Sequence, residues 1–350
     1  MSVEQLVLKE YGINPDHAEI RSFGTGLINH TWEVKNGTDH YILQRINENV
    51  FTKPEAIGSN IASIAAYLQH HYPDYYFVAP VTTKDGAQMV FIEGALNGCY
   101  RLLPFVNDSH SKDVATNAEQ AFEAASQFGR FTRLLSKFDA STLSITFPFF
   151  HDLTYRYQQF TDALEKGNQQ RVRECTSLIN FIKDNSDIVT EYEAIQKNPA
   201  FKKRVTHHDT KISNVLFDSN DKSICVIDLD TVMPGYFISD VGDMMRTYLP
   251  TVSEEESDFS KIEVRDDVYK AIVVGYYAEM EEELSPEETR YFFYAGKFMI
   301  YMQALRFLTD HINDDVYYGA KYLNHNLVRA GNQVTLLQRL IEKSGVLNMK

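Results

Sequence analysis

Cysteine is scarce. The chain of 350 residues carries three, Cys99, Cys175 and Cys225, and no two of them are closely spaced. That excludes a disulfide framework and a zinc-binding cysteine pair, and it fits a reduced compartment. An excess of positive charge is also missing: 34 Lys and Arg stand against 48 Asp and Glu, for a net charge of −14. The average field repels polyanions, so neither nucleic acid nor an anionic membrane is expected as a partner. A bound nucleotide therefore needs local basic groups or a cation. No uncharged apolar run reaches 18 residues, and the acidic start MSVEQLVLKE lacks the basic and apolar segments of a secretion signal. A cytoplasmic protein is expected. The pattern GxxxxGK[ST] does not occur, which removes the P-loop, and no glycine turn opens a helix as a dinucleotide-binding fingerprint requires.

What is present is enough apolar material for a sizeable core, 44% of a chain long enough that two lobes are the default expectation. The first hundred positions read as strands at 19–23, 31–34, 41–46, 88–92 and 99–104, with amphipathic helices at 3–11 and 54–70. A polar run, NDSHSKD at 107–113, follows. The expected division is thus an N-terminal lobe of residues 1–104 and a C-terminal lobe of residues 105–350. Past the boundary, helical periods cover 117–138, 153–164, 172–192, 239–248, 264–280, 286–310 and 322–343. The fold class is α+β, a small β-rich lobe before a larger, mainly helical one.

The chemistry concentrates between Arg204 and Arg246. Two apolar runs, 215–217 and 224–227, are separated by the turn-forming DSND and read as a hairpin. Antiparallel pairing brings Asn214, just before the first strand, beside Asp228, just after the second. Asp209 lies five residues ahead of Asn214, so HHDTKISN matches H-x-D-x-x-x-x-N, in which the Asp takes a substrate hydroxyl proton and the Asn binds magnesium. Asn214 and Asp228 are hard oxygen ligands for Mg2+ on a phosphorylated nucleotide. His207 is expected to support the loop. Asp240 is either an acid at a helix start capped by Ser239 or part of the site, and Asp243 and Arg246 stand at pairing distance. Asp230, two residues past Asp228, is expected to hold an acceptor hydroxyl or a cation.

Elsewhere, FGTGLINH places Gly24 and Gly26 in a turn between two strands, read either as a plain turn or as backbone lying over phosphates. Tyr41, Leu43 and Arg45 share one face of the third strand, and Arg45 is either a phosphate cation or an exposed arginine. Glu55 is read as a first-turn acid or as a partner of Arg45. The late helix 292–310 is apolar nearly all round except at Gln303, Arg306 and Asp310. Its Arg306 is either a ligand-facing cation or a buried, partnered one.

In order and spacing, these features resemble the aminoglycoside phosphotransferase and choline kinase superfamily across essentially the whole chain. Within it, GLINHTW, YILQRIN, HHDTKISNVLFD, IDLDTVMPG and RFLTD are similar to N-acetylhexosamine 1-kinases. The resemblance implies a protein-kinase-like two-lobed fold and transfer of the γ-phosphoryl of ATP, with Mg2+, to the 1-hydroxyl of GlcNAc or GalNAc. It implies Asp209 as base, Asn214 and Asp228 as metal ligands, Asp240 as support of the loop, and the stretch 102–105, with Leu103 and Phe105, as the hinge receiving adenine. It also implies sugar contacts from His151, Arg306 and Tyr317. The third-strand residue is Arg45 where the superfamily usually has Lys, which changes the geometry available to phosphate. Aminoglycoside, choline, ethanolamine or homoserine kinases of the same fold, and a non-catalytic nucleotide-binding pseudokinase, are the alternatives. The expected partners are ATP and a small sugar, and a monomer is the working expectation.

Overall fold

Five strands within the first 104 residues pair into one antiparallel sheet. They are β1 Ala18–Ser22, β2 His30–Asn36, β3 Asp39–Ile46, β4 Val90–Ile92 and β5 Gly98–Pro104, in the order β1-β2-β3-β5-β4. The computed structural model describes residues 2–24, 28–94 and 98–348. In the register Leu43 lies opposite Leu102 and Gln44 opposite Arg101. Leu43 and Leu102 are fully buried with Val34, Tyr100 and Val90 against Val7 and Leu8 of helix α1, Val3–Glu10. Ser2 starts that helix, its hydroxyl accepting from the Gln5 N–H while the Gln5 side chain accepts from the Ser2 N–H, which satisfies two donors that a helix start otherwise leaves unpaired. Helix α2, Pro54–His71, has proline in its first turn and buries Ile57, Ile61, Ile64 and Leu68 at helical spacing.

Contacts divide the chain into two units. The first comprises Met1–Ser111, Leu134–Pro148 and Val215–Pro234, and the second Lys112–Arg133, Phe149–Asn214 and Gly235–Lys350. The first unit therefore contains the expected hairpin, β7 Val215–Phe217 and β8 Ser223–Val226, after the short β6, Arg204–Thr206, of the second. Val215 pairs with Val226, and the Asp218 carboxylate accepts from the Asn220 and Lys222 N–H groups at 2.8 Å each, which closes the turn. A three-residue strand, β9 Met233–Gly235, ends this stretch.

Helices in the second unit are α3 Ala118–Leu134, α4 Leu153–Lys166, α5 Gln169–Glu174, α6 Thr176–Asp184, α7 Asp187–Lys197, α8 Phe237–Tyr248, α9 Asp266–Met280, α10 Phe292–Ile312, α11 His325–Glu342 and α12 Ser344–Leu347. The single helix expected over 172–192 is three. The chain turns at Cys175 and again at Asn185, whose amide donates back to the Phe181 carbonyl at 2.9 Å. The apolar period survives both turns, so sequence pattern alone does not reveal them. Helix α10 is the buried axis that the composition suggested, packed by α4, α8 and α11. Its Tyr294 and Tyr301 hydroxyls donate to the carbonyls of Ile188 and Ile182 at 2.7 and 2.8 Å, so two buried phenols are satisfied. Gly242 lets α8 approach this axis, since a Cβ there would lie 2.4 Å from the Ala295 carbonyl oxygen.

Candidate active site

Loop 207–214 is held from beneath by α8. That helix begins at Phe237 rather than at a Ser239 cap, so Asp240 stands inside its first turn. Its carboxylate accepts the His207 N–H at 3.0 Å and the His208 N–H at 2.8 Å. Burial pushes the Asp240 pKa up to about 7, and the two backbone donors only partly offset it. One turn on, Asp243 accepts the Thr210 N–H at 2.8 Å, and the Thr210 hydroxyl donates to the Asp240 carbonyl at 2.7 Å. Asp243 in turn takes two bonds from Arg246, at 2.8 and 3.0 Å. Glu254 accepts from Arg246 and from Arg329, which lies 3.7 Å over the Phe307 ring. From Asp243 to Arg329 the buried charges alternate in sign and are paired, while Asp240 is held by backbone N–H groups.

On this support Asp209 presents a partly exposed carboxylate 3.2 Å from the Lys211 ammonium. His207 packs edge-on against Phe128 at 5.1 Å, and its Nδ1 accepts the Asp209 N–H at 3.4 Å, which places its proton on Nε2 when neutral. The Asn214 amide donates Nδ2 to the Asp209 carbonyl at 2.8 Å, so its Oδ1 points the other way. Asp228 is exposed and adopts a left-handed backbone, φ 60°. Asn214 and Asp228 each offer an oxygen of the hard kind that divalent cations take. Among the described residues no group of three or more His, Cys, Asp or Glu could hold a metal by itself.

A second set of side chains gathers in the same unit as Asp209. His208 sits at φ +67°, a conformation that favours glycine, with its ring against the space left by Gly235, where a Cβ would come within 2.3 Å of it. Its imidazole stacks on His151 at 5.3 Å, and the Nδ1 of each is buried without a hydrogen-bond partner among the described residues. Burial holds the His208 pKa down at about 3 and keeps His151 well below the usual histidine range, so both rings are neutral near pH 7. Phe150 stacks on His151, and the Arg306 guanidinium lies 5.6 Å from the Phe150 ring, 5.9 Å from Tyr317 and 5.5 Å from Tyr318. Arg306 also donates to Gln303 at 3.2 Å. Asp310 is spent on the following loop, accepting the N–H groups of Tyr317 and Tyr318 at 2.7 and 2.9 Å.

The remaining expected site residues belong to the first unit. Gly24 has φ +73°, while Gly26 lies outside the described residues. Arg45 shares the sheet face of Tyr41 and Leu43 and lies opposite Tyr100, with Gly98 pressed against its guanidinium. Leu103, half-buried, joins Leu216, Ile224 and Ile227 around Val78, Val106 and Cys225. Phe105 stacks on His40 with ring centres 3.6 Å apart. Asp230, 2% exposed, pairs with Arg101, also 2% exposed, and accepts from the Asn29 amide at 2.7 Å.

A family model described as the phosphotransferase enzyme family matches residues 19–267. The chain belongs to this family. Solved structures similar to the phosphotransferase include a microcompartment-associated aminopropanol kinase, 17% identical, with a TM-score of 0.65 over 99% of this chain and 98% of that one. Another is an amicoumacin kinase in complex with AMP-PNP, Ca2+ and Ami, 15% identical, TM-score 0.60, covering 97% and 94%. A third is a choline kinase from Cryptosporidium parvum, 14% identical, TM-score 0.57, covering 95% and 93%. The phosphotransferase thus has the protein-kinase-like α+β fold that the motif order implied.

Three residues of the phosphotransferase that the sequence did not single out stand in these clusters. His208 reads as local because nothing in the sequence marks its left-handed backbone. Asn29 is hidden inside a glycine turn. Arg101 carries a faint signal, since strand pairing of 41–46 with 99–104 sets it opposite Gln44, to which it donates at 2.9 and 2.7 Å. No helix among the described residues is long and apolar enough to cross a membrane.

Proposed function

We propose that this phosphotransferase moves the γ-phosphoryl group of ATP to the 1-hydroxyl of an N-acetylhexosamine. Asp209 accepts the hydroxyl proton as the sugar oxygen bonds to the γ-phosphorus and the bond to the ADP oxygen breaks. Asp240 and Asp243 hold the loop by its N–H groups, so the base is aligned before the acceptor arrives. Asn214 and Asp228 would hold magnesium, with phosphate oxygens completing its shell. The metal supplies neutralisation of the phosphate charge. In the first unit, Leu103, Leu216 and Ile227 offer half-buried apolar surface to a flat base, Gly24, together with Gly26 from the sequence reading, is proposed to cover phosphates, Arg45 is the proposed phosphate cation, and Phe105 follows Leu103 at the proposed hinge.

The observation that carries the choice of acceptor is the chemistry of the side-chain cluster that begins at His208, one residue from Asp209. It combines two neutral imidazoles, aromatic faces and the cation Arg306, with Arg156 near enough that burial and then Arg306 lower its pKa. Positive charge there opposes an ammonium-bearing acceptor, whereas an amide-bearing neutral sugar can stack on Tyr317 and accept from Arg306 and donate to His151. A second reading, in which the acceptor is a cationic amino alcohol, draws only on the overall net charge of −14. An ADP-release panel separates the two: GlcNAc and GalNAc support turnover, and choline, ethanolamine and aminoglycosides do not. Turnover with choline and none with either sugar overturns the proposal.

A further inference from the structure

Arg156 is only 7% exposed, and among the described residues its charge meets no carboxylate. It stands on α4, where its Nη1 donates to the Gln159 side chain at 2.9 Å and its Nε is buried without a hydrogen bond to any described residue. Arg306 stands on α10, which packs against α4, and donates to the neutral Gln303 side chain. The acid one turn along, Asp310, is committed to the Tyr317 and Tyr318 N–H groups and to the Asn326 amide. The buried arginines Arg101 and Arg204 show the contrast, since they face the carboxylates of Asp230 and Glu288. A desolvated guanidinium without such a partner is costly, and a second one beside it adds repulsion. The two are close enough for that repulsion to be felt: burial first and the Arg306 charge second hold the Arg156 pKa below the usual arginine range.

What surrounds the two cations is neutral. The rings of Phe150, Tyr317 and Tyr318 flank Arg306, and the Tyr155 ring lies 5.6 Å from the Arg156 guanidinium. Ring faces favour a cation, but they leave its planar fork of N–H donors to be filled by acceptors lying in its plane. Carboxylate, sulfate and phosphate groups match that fork, and their bonds to it are charge-assisted. A neutral sugar covers both charges and returns only neutral hydrogen bonds. We propose that Arg156 and Arg306 form an anion subsite, which takes a carboxylate, sulfate or phosphate group carried by the sugar away from its 1-hydroxyl. The preferred acceptor is then an acidic N-acetylhexosamine, with GlcNAc and GalNAc as weaker substrates. This inference rests on the reading of the phosphotransferase as an N-acetylhexosamine kinase and deepens it.

Initial rates of the full-length protein with GlcNAc, GlcNAc 6-sulfate and N-acetylmuramic acid test it. At least one acidic sugar exceeds GlcNAc in kcat/KM by about ten-fold, the effect of one charge-assisted hydrogen bond. In Arg156→Gln, which keeps hydrogen-bonding capacity but not the charge, that ratio falls to about one, and Arg156→Lys retains part of it. A merely structural loss lowers all acceptors together and leaves the ratio at the parent value. An advantage that survives Arg156→Gln, or turnover of both acidic sugars no better than that of GlcNAc in the parent, overturns the inference. Should Arg156→Gln not fold, the same ratio in Arg306→Gln, at the half-buried member of the pair, decides. Sodium sulfate separates a free ion from a sugar-borne group. If it competes with GlcNAc in the parent and not in Arg156→Gln, while neither acidic sugar gains, the arginines take a free anion and the claim about the acceptor falls. Failure of the underlying reading looks different, because then neither GlcNAc nor an acidic sugar is turned over at all.

Discussion

Asp209 owes its position to groups that never touch an acceptor. Its N–H rests on His207, its carbonyl holds Asn214, and its neighbours' N–H groups rest on Asp240 and Asp243. Replacing Asp209 by Ala removes the base and leaves these bonds intact. The expected loss is ~10²–10⁴-fold in kcat, toward the low end because an anomeric hydroxyl is more acidic than an ordinary alcohol. Circular dichroism and nucleotide affinity stay unchanged, and full activity in this variant sinks the assignment. Arg306 makes the opposite kind of prediction. Arg306→Leu removes a donor from the proposed acceptor site and raises the KM for GlcNAc by roughly ten-fold or more, with the KM for ATP unmoved. Initial-rate measurements varying each substrate in turn show which constant moves.

At the scale of the element, α8 does more than fill a layer. Two acids one turn apart on its buried face serve the loop as paired clamps, and Arg246 then carries the charge onward to Glu254 and Arg329. Asp240→Ala leaves two buried N–H groups without acceptors, each costing about 1–3 kcal/mol, so the thermal midpoint drops by several degrees. The charge state adds a pH signature. Burial raises the Asp240 pKa from 3.8 to about 7, so its folded form binds the proton more tightly than its unfolded form. Its contribution to stability is full below the unfolded value and is lost as pH rises through about 7. The difference in unfolding free energy between the parent and Asp240→Asn therefore shrinks between pH 4 and pH 7, and denaturant titrations across that range measure it. In the sequence this helix was visible, but the use of its acids was not. Asp240 read equally well as a charge at a helix start, because the partner N–H groups lie 32 and 33 positions away.

At the scale of the molecule, the strands of the first sheet, the hairpin and the buried α10 were all legible, since each follows from a short-range period of apolar residues. The three helices α5, α6 and α7 were not, because the turns at Cys175 and Asn185 interrupt the backbone without breaking the apolar period. The candidate site was legible where chemistry is compressed into a few consecutive positions, as in residues 207–214. It was hidden where it depends on distant partners or on backbone angle: Asn29 with Asp230, Arg101 with both Asp230 and Gln44, and His208 at positive φ. Residues proposed for the nucleotide, Gly24, Arg45, Leu103 and Asp228 among them, belong to the first unit, while Asp209, His151, Arg306 and Tyr317 belong to the second. Kinetic effects are accordingly expected to separate, with substitutions in the first unit moving nucleotide terms and those around Arg306 moving acceptor terms. The most direct check on the whole account is the position of the transferred phosphate, read by 31P nuclear magnetic resonance after incubation with GlcNAc, ATP and Mg2+. The account predicts a single GlcNAc 1-phosphate signal, absent with Asp209→Ala; a 6-phosphate product, or no phosphorylated sugar beside a phosphorylated amino alcohol in a parallel reaction, would contradict it.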